Sequence, residues 1–152
     1  MKKITATLLL LTNLYGYDVG DRVDATLASH IGFEKDKVYI VDFFASWCGS
    51  CKKEIPLLSK ANRELDKTKF EIVGIDVDKK VENGIEFQDA LRKRDRLNFR
   101  VINDPQNLII SKFSPIGMPT LYYVKNQKVL KILTGAIDDI DQVVIKDLHS
   151  ME

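Results

Sequence analysis

Two cysteines, Cys48 and Cys51, are the only thiols in the 152-residue chain, and Gly49 and Ser50 separate them. A thiol pair at that spacing closes a disulfide across one helical turn if the first cysteine opens a helix. The flanking residues favour that placement. Before the pair, Val38-Tyr39-Ile40-Val41-Asp42-Phe43-Phe44-Ala45 reads as a buried strand, rich in β-branched and aromatic residues. After it, Ile55, Leu57, Leu58, Ala61 and Leu65 fall on one face of a helix over 51–66. A thiol at a helix N-terminus faces unpaired N–H groups and the positive end of the helix dipole. That setting stabilises a thiolate and lowers its pKa. Cys48 therefore reads as the nucleophile that attacks a substrate disulfide, and Cys51 as the thiol that resolves the mixed disulfide.

Two other uses of a cysteine pair compete with this one. Half of a structural zinc site needs two further ligands, usually a second Cys or His pair. The only histidines, His30 and His149, lie far apart in sequence. Inert cysteines that fill core space tend to sit away from positive charge, whereas Lys52 follows this pair directly.

The pair must be held by the elements around it. A second buried strand is expected over 70–77 and a charged amphipathic helix over 84–96, with Ile85, Phe87, Ala90 and Leu91 as its apolar side. Asp104 is placed to cap a helix that begins at Pro105 and runs towards Phe113. A strand over 120–124, a polar turn at 125–128 and a strand over 129–134 form a hairpin, and a helix over 137–148 closes the chain. Alternating strands and helices make this an α/β fold with helices on both faces of one sheet.

Hydrophobic residues make up 45% and charged residues 30% of the chain, ordinary usage for one globular domain. Lys+Arg is 23 and Asp+Glu is 22, so the net charge is +1 and nothing marks a nucleic-acid binder. The start, Met1-Lys2-Lys3 followed by a short apolar run to Leu11 and a small residue at Gly16, has the outline of a secretory signal. The run falls short of the roughly 20 apolar residues of a membrane-spanning helix. Residues 1–16 are therefore expected to be a signal peptide or an N-terminal anchor, and 17–152 the folded domain. A cytosolic protein with a first strand over 4–11 is the competing reading.

The stretch from Val41 to Cys51, with Trp47 immediately before the thiol pair, resembles the active site of the thioredoxin superfamily. Pro56 matches the proline in that superfamily's active-site helix, and Gly117-Met118-Pro119-Thr120 resembles its cis-proline loop. The charged segment between Val77 and Asn103 is similar to the insertion of the TlpA/ResA group of exported thiol-disulfide oxidoreductases, and Val19-Gly20-Asp21 to that group's lead-in. The resemblance covers roughly 18–148. It implies a thioredoxin-like fold: a central mixed β-sheet flanked by helices, with an inserted helix in the middle of the domain.

The resemblance also assigns roles. Asp42 stands where thioredoxins carry an aspartate that relays a proton to the resolving thiol; the TlpA/ResA group more often has an amide or apolar residue there. The lysine that accompanies that aspartate is absent, since Gly74 falls near its place. A cis Met118–Pro119 bond would bring a backbone edge beside the sulfurs, where Met118 offers N–H and C=O to an extended substrate. Trp47, Met118, Pro119 and Thr120 are thus expected to bind substrate, with Gly49, Ser50 and Pro56 as parts of the motif. Lys52, Lys53 and Glu54 read as a solvated helix face, although Glu54 matches an acid in the helix of the exported group. Arg92, Lys93, Arg94 and Arg96 read as another solvated face.

The function these readings imply is a monomeric periplasmic thiol-disulfide oxidoreductase. It would carry no cofactor and no metal beyond the redox-active cysteine pair. It would reduce protein disulfides, apocytochrome c during cytochrome c maturation among them, with electrons from a membrane-embedded donor. A periplasmic oxidase or isomerase, and a non-catalytic module that only binds clients, are the alternatives. Ser50, in place of the proline of reducing thioredoxins, is expected to make the disulfide somewhat more oxidising.

Overall fold

The computed structural model describes residues 15–152. The leader expected over 1–16 lies outside them except for its last two residues. So does the competing strand over 4–11.

Among the described residues ten elements follow in chain order: α1 (Ala25–Ile31), β1 (Val38–Phe44), α2 (Gly49–Glu64), β2 (Phe70–Asp76), α3 (Val81–Lys93), β3 (Arg100–Asn103), α4 (Ile110–Phe113), β4 (Thr120–Lys125), β5 (Lys128–Thr134) and α5 (Ile140–His149). The five strands form one sheet in the order β3-β2-β1-β4-β5. β1, β2 and β3 run parallel, while β4 is antiparallel to β1 and β5 antiparallel to β4. The mixed sheet and flanking helices are the fold that the sequence implied.

β1 is central and buried along its whole length, which is why it reads as a continuous apolar run rather than an alternating one. Its side chains still alternate between two cores. Val38, Ile40 and Phe44 join Ile55 and Leu58 of α2 and Val144 and Leu148 of α5 on one side. Tyr39, Val41 and Phe43 join Leu27 and Ile31 of α1 and Phe113 of α4 on the other. Asp42 is in phase with the first set, so its carboxyl is directed to the layer that α2 covers.

Three local expectations are corrected and two elements are added. α3 starts three residues before the expected position and α5 three residues after it. No helix starts at Pro105. The Asp104 carboxylate reaches further along the chain and accepts from the N–H groups of Leu108, Ile109 and Ile110, so α4 begins at Ile110. α1 and β3 are additions to the elements expected from the sequence. α1 is fixed by an Asp24 cap on the Leu27 N–H and a left-handed Gly32 at its end. The segment before it shields the edge of β5 through Gly20 N–H to Val129 O, Val129 N–H to Asp21 O and Val23 N–H to Gln127 O.

A polar knot closes the C-terminal ends of the parallel strands. Asp76 accepts from the Asp78 N–H and from Gln88 of α3, and Gln88 also donates to Asn103 at the end of β3. Gly84 makes room for it: a Cβ there would lie 2.6 Å from Asp76 Oδ2. Burial lifts the Asp76 carboxyl to about 6. The knot ties α3 to the strand end where the cysteines lie.

Candidate functional site

β1 ends at Phe44, and the turn that follows delivers Cys48 to the start of α2. Asp78 holds that turn, accepting from the Ser46 N–H at 2.7 Å and from its hydroxyl at 2.8 Å. Cys48 is the N-cap of α2, and its Sγ accepts from the Cys51 N–H at 3.2 Å. The helix thus begins two residues earlier than expected, with the first sulfur at the position where a capping side chain satisfies an orphan N–H. The two cysteines form a disulfide, with Cα atoms 5.3 Å apart. Cys48 keeps 8% exposure and Cys51 only 1%, so an incoming group meets Cys48. Trp47 is 68% exposed beside it.

Gly49 and Ser50 are exposed in the first turn of α2, and an added Cβ at Gly49 would meet open space. Pro56 lies inside α2, which continues through it to Glu64. The Met118–Pro119 peptide is cis, the isomer that the loop sequence suggested. Thr120 opposes Phe43 in the β1–β4 ladder, so the loop before it arrives at the same strand end as the cysteines. The Thr120 hydroxyl donates to Gly117 O and Pro119 O accepts from the Gly135 N–H. Among the described residues, the N–H and C=O of Met118 enter none of the turn or ladder hydrogen bonds.

Two carboxyls are buried in the layer between β1 and α2. Asp42 is 1% exposed and Glu54 4%. Neither Asp42 oxygen, nor Glu54 Oε1, nor the Tyr123 hydroxyl has a hydrogen-bond partner among the described residues. Burial pushes Asp42 well above the usual carboxylate range, and the Glu54 charge pushes it further. Burial lifts Glu54 to about 7. The residue opposite Asp42 on β2 has no room for a side chain. Asp42 pairs in register with Gly74, and a Cβ at Gly74 would lie 2.7 Å from the Phe44 ring.

Glu54 therefore corrects the reading of residues 52–54 as a solvated face. Lys52 and Lys53 are exposed, and the Lys52 ammonium lies 6.0 Å from the Phe87 ring centroid, but Glu54 is buried. The signal was present in the spacing. Cys51, Glu54, Ile55, Leu58 and Ala61 form one buried stripe on α2, and an acid on such a stripe is an acid in the core. Asp78, the anchor of the turn before Trp47, had no sequence signal of this kind.

Among the described residues, no group of three or more His, Cys, Asp or Glu side chains is arranged to hold a metal ion. No helix among them is long and apolar enough to cross a membrane.

Comparison with known proteins places this geometry in context. The profile of the AhpC/TSA family matches residues 20–132. A thiol-disulfide oxidoreductase ResA of Geobacillus thermodenitrificans is 28% identical over 111 residues, 71% of this chain and 62% of the relative. A thioredoxin of Borreliella burgdorferi is 27% identical over 116 residues, 76% of each chain. The chain thus spans less than two thirds of the ResA relative's length. The crystal structure of a thiol:disulfide interchange protein DsbE from Chlorobium tepidum superposes with a TM-score of 0.73 at 23% identity, over 88% of this chain and 96% of that one. The resemblance read from Trp47, the cysteine pair and the proline loop agrees with these relatives.

Proposed function

This chain belongs to the AhpC/TSA family, and on that premise we propose that it is a thiol-disulfide oxidoreductase that reduces disulfides in exported proteins. The observation that carries the reading is the placement of the Cys48–Cys51 disulfide: the outer sulfur caps α2 and the inner one is sealed beneath it. ResA and thioredoxin relatives support the same activity.

In the dithiol form the Cys48 thiolate, stabilised by the N–H of Cys51 and the helix N-terminus, attacks one sulfur of a client disulfide. A mixed disulfide forms and the client's other sulfur leaves as a thiolate. Cys51 then gives up its proton and attacks Cys48. The protein disulfide forms and the second client sulfur leaves. The client gains two electrons and two protons; this chain supplies both electrons and the Cys51 proton, and the other proton, already shed by Cys48, comes from the solvent. The Cys51 proton is released in a nearly anhydrous place, which calls for a nearby base. We assign that role to the Asp42/Glu54 pair, which holds a single charge more readily than two.

Met118 supplies a main-chain edge for the client segment, with Pro119 and Thr120 fixing its direction, and Trp47 covers the segment beside the sulfurs. The protein disulfide must be reduced again, and a membrane-embedded dithiol protein is the donor we propose. The N-terminal segment would place the domain outside the cytoplasm, in the periplasm, cleaved or retained as an anchor. Apocytochrome c is one such client.

Reduction of insulin by dithiothreitol tests the activity. Catalytic amounts of the protein are expected to shorten the lag before the insulin B chain precipitates, with a rate linear in protein concentration. A lag equal to that of dithiothreitol alone overturns the proposal.

A further inference from the structure

A groove of about 520 Å³ runs from Trp47 and Met118, beside the disulfide, towards the N-terminus of α3. Trp47, Val77, Ile110 and Met118 give it an apolar floor, and Lys79 and Lys80 stand exposed on its rim. Asp78 also reaches it, with a carboxylate whose two oxygens accept from Ser46 and face the turn. Neither lysine belongs to an ion pair among the described residues. The nearest acid in sequence on α3, Glu82, lies in a different hollow with Glu86 and Asp89. The groove therefore presents two cations outside any ion pair against the single carboxylate of Asp78, next to an exposed indole, on a protein whose net charge is only +1. The local field, rather than the overall charge, decides what docks there.

Resting on the proposed activity at the same site, we propose that this groove selects extended client segments in which the cysteine is flanked by an apolar side chain and by carboxylates. The apolar side chain covers Trp47 and Met118. The unpaired main chain of Met118 aligns the segment as an added strand. An aspartate or glutamate nearby pairs with Lys79 or Lys80. The segment leading into α3 thereby serves the active site directly, by bringing the two lysines to its edge.

Trp47 is the only tryptophan, so its fluorescence reports the groove directly. The test uses the disulfide form of the protein and two ten-residue peptides, each with serine in place of cysteine and a neighbouring leucine. One carries two aspartates, the other two lysines at the same places. No thiol chemistry is involved, so the result is independent of whether insulin is reduced. At low salt the aspartate peptide is expected to bind about tenfold more tightly, from paired surface charges in one case and repulsion in the other. The difference should shrink as salt is added. The double reversal Lys79→Glu/Lys80→Glu should invert the preference. The reversal Lys93→Glu/Arg94→Glu, at the far end of α3, makes the same change in net charge and should leave the preference unaltered. Equal affinity for the two peptides, a preference that survives reversal of Lys79 and Lys80, or no fluorescence change with either peptide at millimolar concentration would each overturn the proposal.

Discussion

Serine at position 48 is expected to end disulfide exchange, with insulin reduction falling by about a thousandfold or more, as when an enzyme loses its nucleophile. A hydroxyl at this position stays protonated, so the N–H of Cys51 and the end of α2 have no anion to stabilise. Cys51 cannot take over, because at 1% exposure it cannot meet a client disulfide. Cys51→Ser should behave differently. It retains the attack but not the release, so the protein accumulates as a mixed disulfide with its client, visible by intact mass and reversed by dithiothreitol. Both variants should fold, since Cys48 and Cys51 close only a very short loop and a short loop constrains the unfolded chain little. Unchanged far-ultraviolet circular dichroism would establish that. Exchange by Cys48→Ser at the wild-type rate would show that the first sulfur is not the nucleophile.

Glu54→Gln carries the second large effect, and it has two readouts. Burial lifts the Glu54 carboxyl to about 7. The release step should therefore speed up as pH rises through 7, when the pair gains its first negative charge and can accept the Cys51 proton. Asp42 resists the second ionisation because the Glu54 charge raises it further, so the two ionisations belong to the pair. Glu54→Gln should flatten the pH profile near 7 and slow reduction at pH 8 by about 10- to 100-fold, at or below the low end of what general bases contribute.

Stability should move the other way. In the unfolded chain Glu54 ionises near its ordinary value of 4.5, and in the folded chain near 7. Between those values the folded state binds more protons than the unfolded one, so stability falls as pH rises. The loss amounts to about 3 kcal/mol once pH exceeds 7. The variant lacks that ionisation, so its melting temperature should hold up better than the wild type's from pH 4.5 to 7. Asp76, lifted to about 6 in the polar knot, titrates in both proteins and cancels in the comparison. Parallel melting curves across that range would show that Glu54 keeps an ordinary pKa and is not the base.

The elements that were legible in the sequence are those whose residue types and spacing agree. β1 and β2 are long runs of β-branched and aromatic residues, because both faces of the sheet are covered. The cysteine pair and the Met-Pro-Thr loop carry their geometry in their residue types. β3 escapes such a reading because Arg100-Val101-Ile102-Asn103 is a short edge strand, exposed or half-buried along its length, with no distinctive pattern. Its pairing depends on β2, which no local window contains. Pro105 suggested a helix start, but a single carboxylate, Asp104, caps three N–H groups four to six residues on. Glu54 shows how residue type can mislead where spacing does not. Read with Lys52 and Lys53 it is one of three surface charges; read with Cys51, Ile55 and Leu58 it is part of the core. Its charge acts on Asp42 across the layer, a tertiary relation that the sequence alone does not express.

The reduction potential of the Cys48/Cys51 pair tests the central claim most directly. Equilibration in thiol-disulfide buffers of graded ratio, followed by alkylation and intact mass, gives the midpoint. A pair that donates electrons to client disulfides, with Ser50 in place of the proline of the most reducing thioredoxins, is expected between about −270 and −200 mV. A midpoint above about −180 mV would mark a protein that accepts electrons from its clients and would contradict the proposed direction. Failure to form the disulfide at any ratio would contradict the dithiol chemistry itself.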